Sequence, residues 1–143
     1  MRLSNIVEKL EAKTIESGTD EKIVGFILES FNVRTQTHIY HLLTKSYAEH
    51  MAIGEFYDKL LSAIDSISEM SIGLNISTST EPYNSTLVFD YNKDTLINEI
   101  KEYRNSVTSL LETTDTSSLM GINDAIMSIQ ASIDMLLYKL QLK

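Results

Sequence analysis

Along most of the chain apolar residues recur three and four positions apart, the period of an amphipathic helix, and only one proline and five glycines interrupt them. A strand-rich chain would need turn residues about every 8–12 positions, and they are missing. A short helix is predicted over about 3–16, with Leu3, Ile6, Val7 and Leu10 on one face and Gly18 as its stop. Asp20 then caps a longer helix over about 21–46, whose apolar arc takes in Ile23, Val24, Ile27, Phe31 and Leu42. The next, about 48–70, carries Ile53, Tyr57, Leu60, Ile64 and Ile67 on one stripe and closes at Gly73. Over about 94–113 the stripe is Leu96, Ile100, Tyr103, Val107 and Leu110. From about 118 onward it is Ile122, Ile126, Ile129, Ile133, Leu136 and Leu140, with Asp115 or Ser117 as the N-cap.

Between 73 and 91 the rhythm stops. This stretch is nearly free of charge, rich in Ser, Thr and Asn, and holds the only proline, Pro82, so it reads as a crossover in which Leu87, Val88 and Phe89 pin the loop to the helices. Two long helices, a long crossover and two more long helices describe an all-α, four-helix bundle. A crossover of about twenty residues can carry the chain along the bundle's length, which leaves the second and third long helices parallel, the up-down-down-up order of ferritin-like bundles. The length pattern fits other four-helix bundles equally, and the expected organisation is one domain over 1–143, with 1–18 as a short N-terminal helix or arm and 73–92 as the crossover.

A chain of 143 residues, 43% hydrophobic and 22% charged, has enough apolar material for one well-buried core. Its formal charge of −8 argues against a nucleic-acid or anionic-membrane footprint as the main surface. The absence of Cys removes disulfide scaffolds, thiolate metal sites and thiol nucleophiles, and fits a reducing compartment. No apolar run approaches the roughly 18–20 residues of a membrane span, and the opening MRLSNIVEKLEAK has no continuous apolar core, so a soluble, cytoplasmic protein is expected.

The chemistry-bearing residues are few. The histidines are His38, His41 and His50; His38 falls near the middle of the apolar arc of its helix and His41 at its edge. His50, Asp65 and Glu69 border the stripe of the next helix, and Asp65 and Glu69, one turn apart, direct their carboxylates the same way. Imidazole with carboxylate is a ligand set that suits iron.

The stretch from His38 to Glu69 resembles the ferroxidase segment of Dps, the DNA-protection-during-starvation branch of the ferritin superfamily. His38, His50, Asp65 and Glu69 match its His, His, Asp, Glu spacing without a gap, and Gly54 stands where the family has a further aspartate. The string HLLTKSYAEH also resembles small Dps-like proteins encoded by tailed phages, which would place the protein in the host cytoplasm. The resemblance implies a two-fold dimer, and a dodecameric shell built from it. In it His38 and His50 of one subunit face Asp65 and Glu69 of the other. Glu69 would bridge two iron positions, His38 and Asp65 would hold the first, and His50 would help hold the second. The implied activity is oxidation of Fe(II), weakened at the second position by the missing carboxylate at Gly54. The alternative is a non-catalytic structural or interaction protein of a phage that keeps the ferritin-like fold.

Other residues read as support. His41 is expected to be a supporting or surface residue, Glu49 and Asp58 solvated acids, and Tyr40, Tyr47 and Tyr57 packing. Lys45 and Lys59 are expected to pair with acids across an interface. DNA binding is not expected, because the basic residues of the N-terminal segment are offset by Glu8, Glu11, Glu16, Asp20 and Glu21.

Overall fold

Four long helices carry most of the backbone in the computed structural model, which describes the backbone of residues 3–142 and the side chains of residues 18–142. They are α1 (Leu3–Leu43), α2 (Tyr47–Gly73), α3 (Lys93–Thr114) and α4 (Met120–Lys139), with one 3₁₀ turn at Ser117–Leu119 and no strand among the described residues. Ser46 caps α2 by accepting from the Glu49 amide, and Asn92 caps α3 by accepting from that of Thr95.

Chain direction follows from cross-links between distant segments. The crossover, 74–92, starts beside the early part of α1, where the Ser77 amide donates to Asp20 at 3.0 Å. It ends at the opposite end, where the Tyr91 hydroxyl donates to Glu49 at 3.0 Å. Helix α3 then runs back down α1, with Tyr40 donating to Glu99 and Ser106 to Glu29, each at 2.8 Å. Helix α4 returns from Asn123, bonded to Thr114, to Lys139, paired with Glu55. Helices α1 and α4 therefore run one way and α2 and α3 the other, and the contacts α1–α2, α2–α4, α4–α3 and α3–α1 close the ring.

The core is what the three later stripes predict: Ile53, Leu60, Ile64 and Ile67 from α2, Leu96 to Leu110 from α3, and Ile122 to Leu140 from the last segment are all buried. Helix α1 differs. Its buried arc runs through Ile23, Phe26, Ser30, Thr37 and Tyr40, while Phe31 and Leu42, expected inside, are 43% and 63% exposed. The arc turns because Ser30 and Thr37 are buried with their hydroxyls satisfied, Ser30 by Tyr103 at 2.6 Å and Thr37 by the Val33 carbonyl at 2.8 Å.

Four further local expectations are corrected. Helix α1 is continuous through Gly18 and Asp20: no glycine adopts a positive φ, so Gly18 makes no left-handed stop, and the Asp20 carboxylate serves the crossover instead of capping. (The predicted face of Leu3, Ile6, Val7 and Leu10 lies outside the described side chains.) Helix α2 does close at Gly73, but Asn75 takes the left-handed conformation, at φ 57°. Leu87, Val88 and Phe89 are exposed, and the loop is held by Gln36, whose amide accepts from the Val88 N–H and donates to its carbonyl, both at 2.8 Å. Neither Asp115 nor Ser117 caps α4; the corner is closed by the buried Asn123 amide, which donates to the Leu111 carbonyl and the Thr114 hydroxyl.

Candidate functional site

The α1–α2 turn brings the three histidines of the chain onto one patch. Helix α1 ends at Leu43 and α2 starts at Tyr47, so the last turn of one lies against the first turns of the other. His41 and His50 stack with ring centroids 3.7 Å apart and planes 21° apart. Each donates its Nδ1–H to the other's backbone carbonyl, His41 at 2.7 Å and His50 at 2.8 Å. A carbonyl only accepts, so Nδ1 carries the hydrogen in both rings, and in a neutral ring Nε2 keeps its lone pair.

Gly54 makes this possible. A Cβ at that position would sit 2.8 Å from Cε1 and 2.9 Å from Nδ1 of His41, closer than packed carbon atoms tolerate. The His41 ring thus lies in the space a side chain at position 54 would need. His38, one turn before His41, stacks on Tyr57 at 4.4 Å, and Tyr57 meets His41 edge-on at 5.3 Å. The Arg34 guanidinium lies 5.3 Å from the centre of the same Tyr57 ring. Tyr57 is therefore half-buried against imidazoles and not in the central core. His41, His50, Gly54, Tyr57 and Asp58 border one open groove that also reaches Lys139 and Leu142.

Two acids near the patch are committed elsewhere. Burial alone would raise the Glu49 carboxyl, but bonds from Thr44, Tyr91 and Lys93 outweigh it and hold the group below its ordinary value. Glu49 is thus a structural clasp between the α1–α2 turn, the crossover and α3, and not the solvated acid expected. Glu55 bonds Lys139 and Lys59, and these two ammonium groups hold its carboxyl at about 2. Lys59 therefore pairs within its own helix, one turn from Glu55, at 2.9 Å.

Asp65 and Glu69 lie on exposed positions of α2 and form no hydrogen bond or ion pair among the described residues. At 1.5 Å rise per residue, His50 and Asp65 stand about 22 Å apart along the helix, and Glu69 about 28 Å from His50. The four expected ligands are thus split within one chain into an imidazole end and an acid end. Among the described residues no three His, Asp or Glu side chains gather at metal-holding distance.

His41 is the residue that sequence reasoning undervalued. The available signal was Gly54 itself, a glycine in mid-helix, which costs roughly 1 kcal/mol against alanine and so asks for a packing reason.

Comparison with known proteins adds one match. A family model described as "Family of unknown function (DUF5856)" covers residues 41–140, a span that holds His41, His50, Gly54, Asp65 and Glu69 and begins after His38. No curated protein and no solved structure matches the chain.

Proposed function

The chain belongs to that family of unknown function, and we propose from its residues and their geometry that it is a Dps-like protein of ferritin-like fold that binds Fe(II) and oxidises it at a site shared between two subunits. The observation that carries this reading is the fixed state of His50. Its Nδ1–H is given to the His41 carbonyl, the kind of bond that orients metal-ligating imidazoles, and in the neutral ring this leaves the Nε2 lone pair free. The up-down-down-up order of the helices and the ligand spacing support the same reading.

A shared site explains why imidazoles and acids stand apart in one chain. On α2, His50 and Asp65 lie about 60° apart around the axis, close to one face. An antiparallel α2–α2 pairing with its two-fold axis near Asp58 brings His50 of one subunit beside Asp65 and Glu69 of the partner subunit, with His38 behind it. Iron is then the substrate, its positive charge met by carboxylates that have no partner among the described residues. Because each half-site is incomplete, metal binding and dimerisation reinforce one another.

The test is native mass and ultraviolet absorbance during anaerobic Fe(II) addition followed by oxygen. The expected result is a dimer or larger assembly that takes up Fe(II) and gains ferric absorbance, with loss of both in Asp65→Asn. A monomer that takes up no Fe(II) overturns the reading. The second reading, a non-catalytic structural protein, is favoured by one observation: the Arg34 cation beside Tyr57 and His38 puts positive charge next to the imidazole end. It expects a stable assembly indifferent to Fe(II).

A further inference from the structure

We propose that the outer face of α4 is an interface on which two copies of this chain pair antiparallel about a two-fold axis at Ala131. The pairing is independent of the iron reading and uses a different helix.

Composition singles out α4. Only Asp124, Asp134 and Lys139 are charged among its 20 residues, whereas α3, with 22, carries seven charged side chains. At about 100° per residue its apolar positions fall on two opposite stripes. The inner one, Ile122 to Leu140, faces the core. The outer one is Met120, Met127, Ala131, Met135 and Tyr138, continued by Leu142 in the turn that ends the helix. Its five large side chains are between 42% and 57% exposed, while among the described residues α3 exposes no large apolar side chain. A surface helix needs one apolar face, and a second one is a surface suited to a partner.

The spacing of the outer stripe identifies that partner as a second copy. Counted from Ala131, Met127 and Met135 lie four residues to either side, Asp124 and Tyr138 seven, and Met120 and Leu142 eleven. An antiparallel copy turned about Ala131 therefore sets Met127 level with the partner's Met135, and Met120 level with the partner's Leu142. It also sets the Asp124 carboxylate level with the hydroxyl of the partner's Tyr138, an acceptor beside a donor, both on exposed residues. The small alanine on the axis lets the two backbones approach closely.

Charge does not oppose the pairing, although the chain carries −8. Asp134 is paired with Arg104 at 2.7 Å, and Lys139 with Glu55. The two Asp124 carboxylates stand about 21 Å apart along the helices, beyond the roughly 8 Å screening length of physiological salt. The two stripes together bury on the order of 1,000 Å², the size at which specific interfaces begin, and flexible Met side chains adapt to one another's shape.

The test is the sedimentation mass of the full chain, wild type against Met127→Asp, with oxidative cross-linking of Ala131→Cys in a chain that has no other cysteine. Met120→Cys is the control, because its two copies lie about 33 Å apart in the antiparallel pair. The expected result is at least a twofold larger mass in wild type, and a covalent dimer from Ala131→Cys but not from Met120→Cys. Where the α2–α2 pairing also holds, Met127→Asp remains a dimer, and where that pairing fails the variant is a monomer, so the two readings fall separately. Equal masses overturn the proposal, whether the stripe stays bare or binds zwitterionic lipid vesicles. A mass difference without the Ala131→Cys cross-link, or with Met120→Cys linking as readily, overturns it too. Should Met127→Asp fold poorly, the two cysteine variants decide by themselves.

Discussion

Gly54 and His41 occupy complementary space: the glycine on α2 lacks the atom that the α1 imidazole would strike, at 2.8 Å. Gly54→Ala should therefore lose stability, by about 1–3 kcal/mol for an overpacked contact, although alanine is the better helix former. Gly25, also inside a helix but with nothing within 4 Å of an added Cβ, is the control. There Gly25→Ala should gain about 0.4–1 kcal/mol. Urea unfolding of the two variants checks both signs.

Ser30 and Tyr103 share a buried hydrogen bond of 2.6 Å between α1 and α3. Ser30→Ala strands the tyrosine hydroxyl in a fully packed place and should cost about 1–3 kcal/mol. Adding Tyr103→Phe removes the stranded group as well, so the double variant should recover part of that loss. A double-mutant cycle that shows no coupling contradicts the pair's role.

Two glutamates should give opposite pH dependences. Glu49 has its carboxyl held below the ordinary 4.5, so its stabilising effect is present above the unfolded value and is lost as pH falls through the depressed folded value. Burial, only partly offset by a bond from Ser106, raises Glu29 above 4.5. Its contribution to stability is greatest below the unfolded value and declines as pH rises through the raised folded value. Glu49→Gln should thus flatten the acid limb of a stability–pH curve. Glu29→Gln should raise stability at neutral pH.

Gln36 is the main polar tether of the crossover's second half, bonding both backbone groups of Val88. Gln36→Ala should free the Val88 amide for hydrogen exchange and open the neighbouring loop to proteolysis. Global stability should fall by about 0.5–3 kcal/mol, because Gln36 itself is buried and its truncation removes packing as well as the two bonds.

How legible each part was depends on where its partner lies. The stripes of α2, α3 and α4 could be read because Ile, Leu and Val repeat at the helical period, and burial follows directly from it. The arc of α1 was misplaced toward Phe31 and Leu42 because Ser30 and Thr37 look like surface residues until Tyr103, 73 positions away from Ser30, supplies a partner. Leu87 to Phe89 looked like an anchor for the same reason: the real tether, Gln36, is polar and 52 positions away from Val88. The His and acid positions of the candidate site were visible as a spacing. The His41–His50 clasp was not, since it needs two helices to meet across a turn and a glycine to admit the ring.

The crossover sets the terms on which the chain folds. Each half of the molecule is a helical hairpin held by a short turn, and each leaves its apolar stripe facing the other half. Neither hairpin can close a core alone, so the decisive step is their docking, against the entropy of ordering a nineteen-residue tether (74–92) that is anchored at both ends by polar bonds. Lengthening that tether should slow assembly of the halves while barely altering the finished protein, because closure entropy grows only with the logarithm of length.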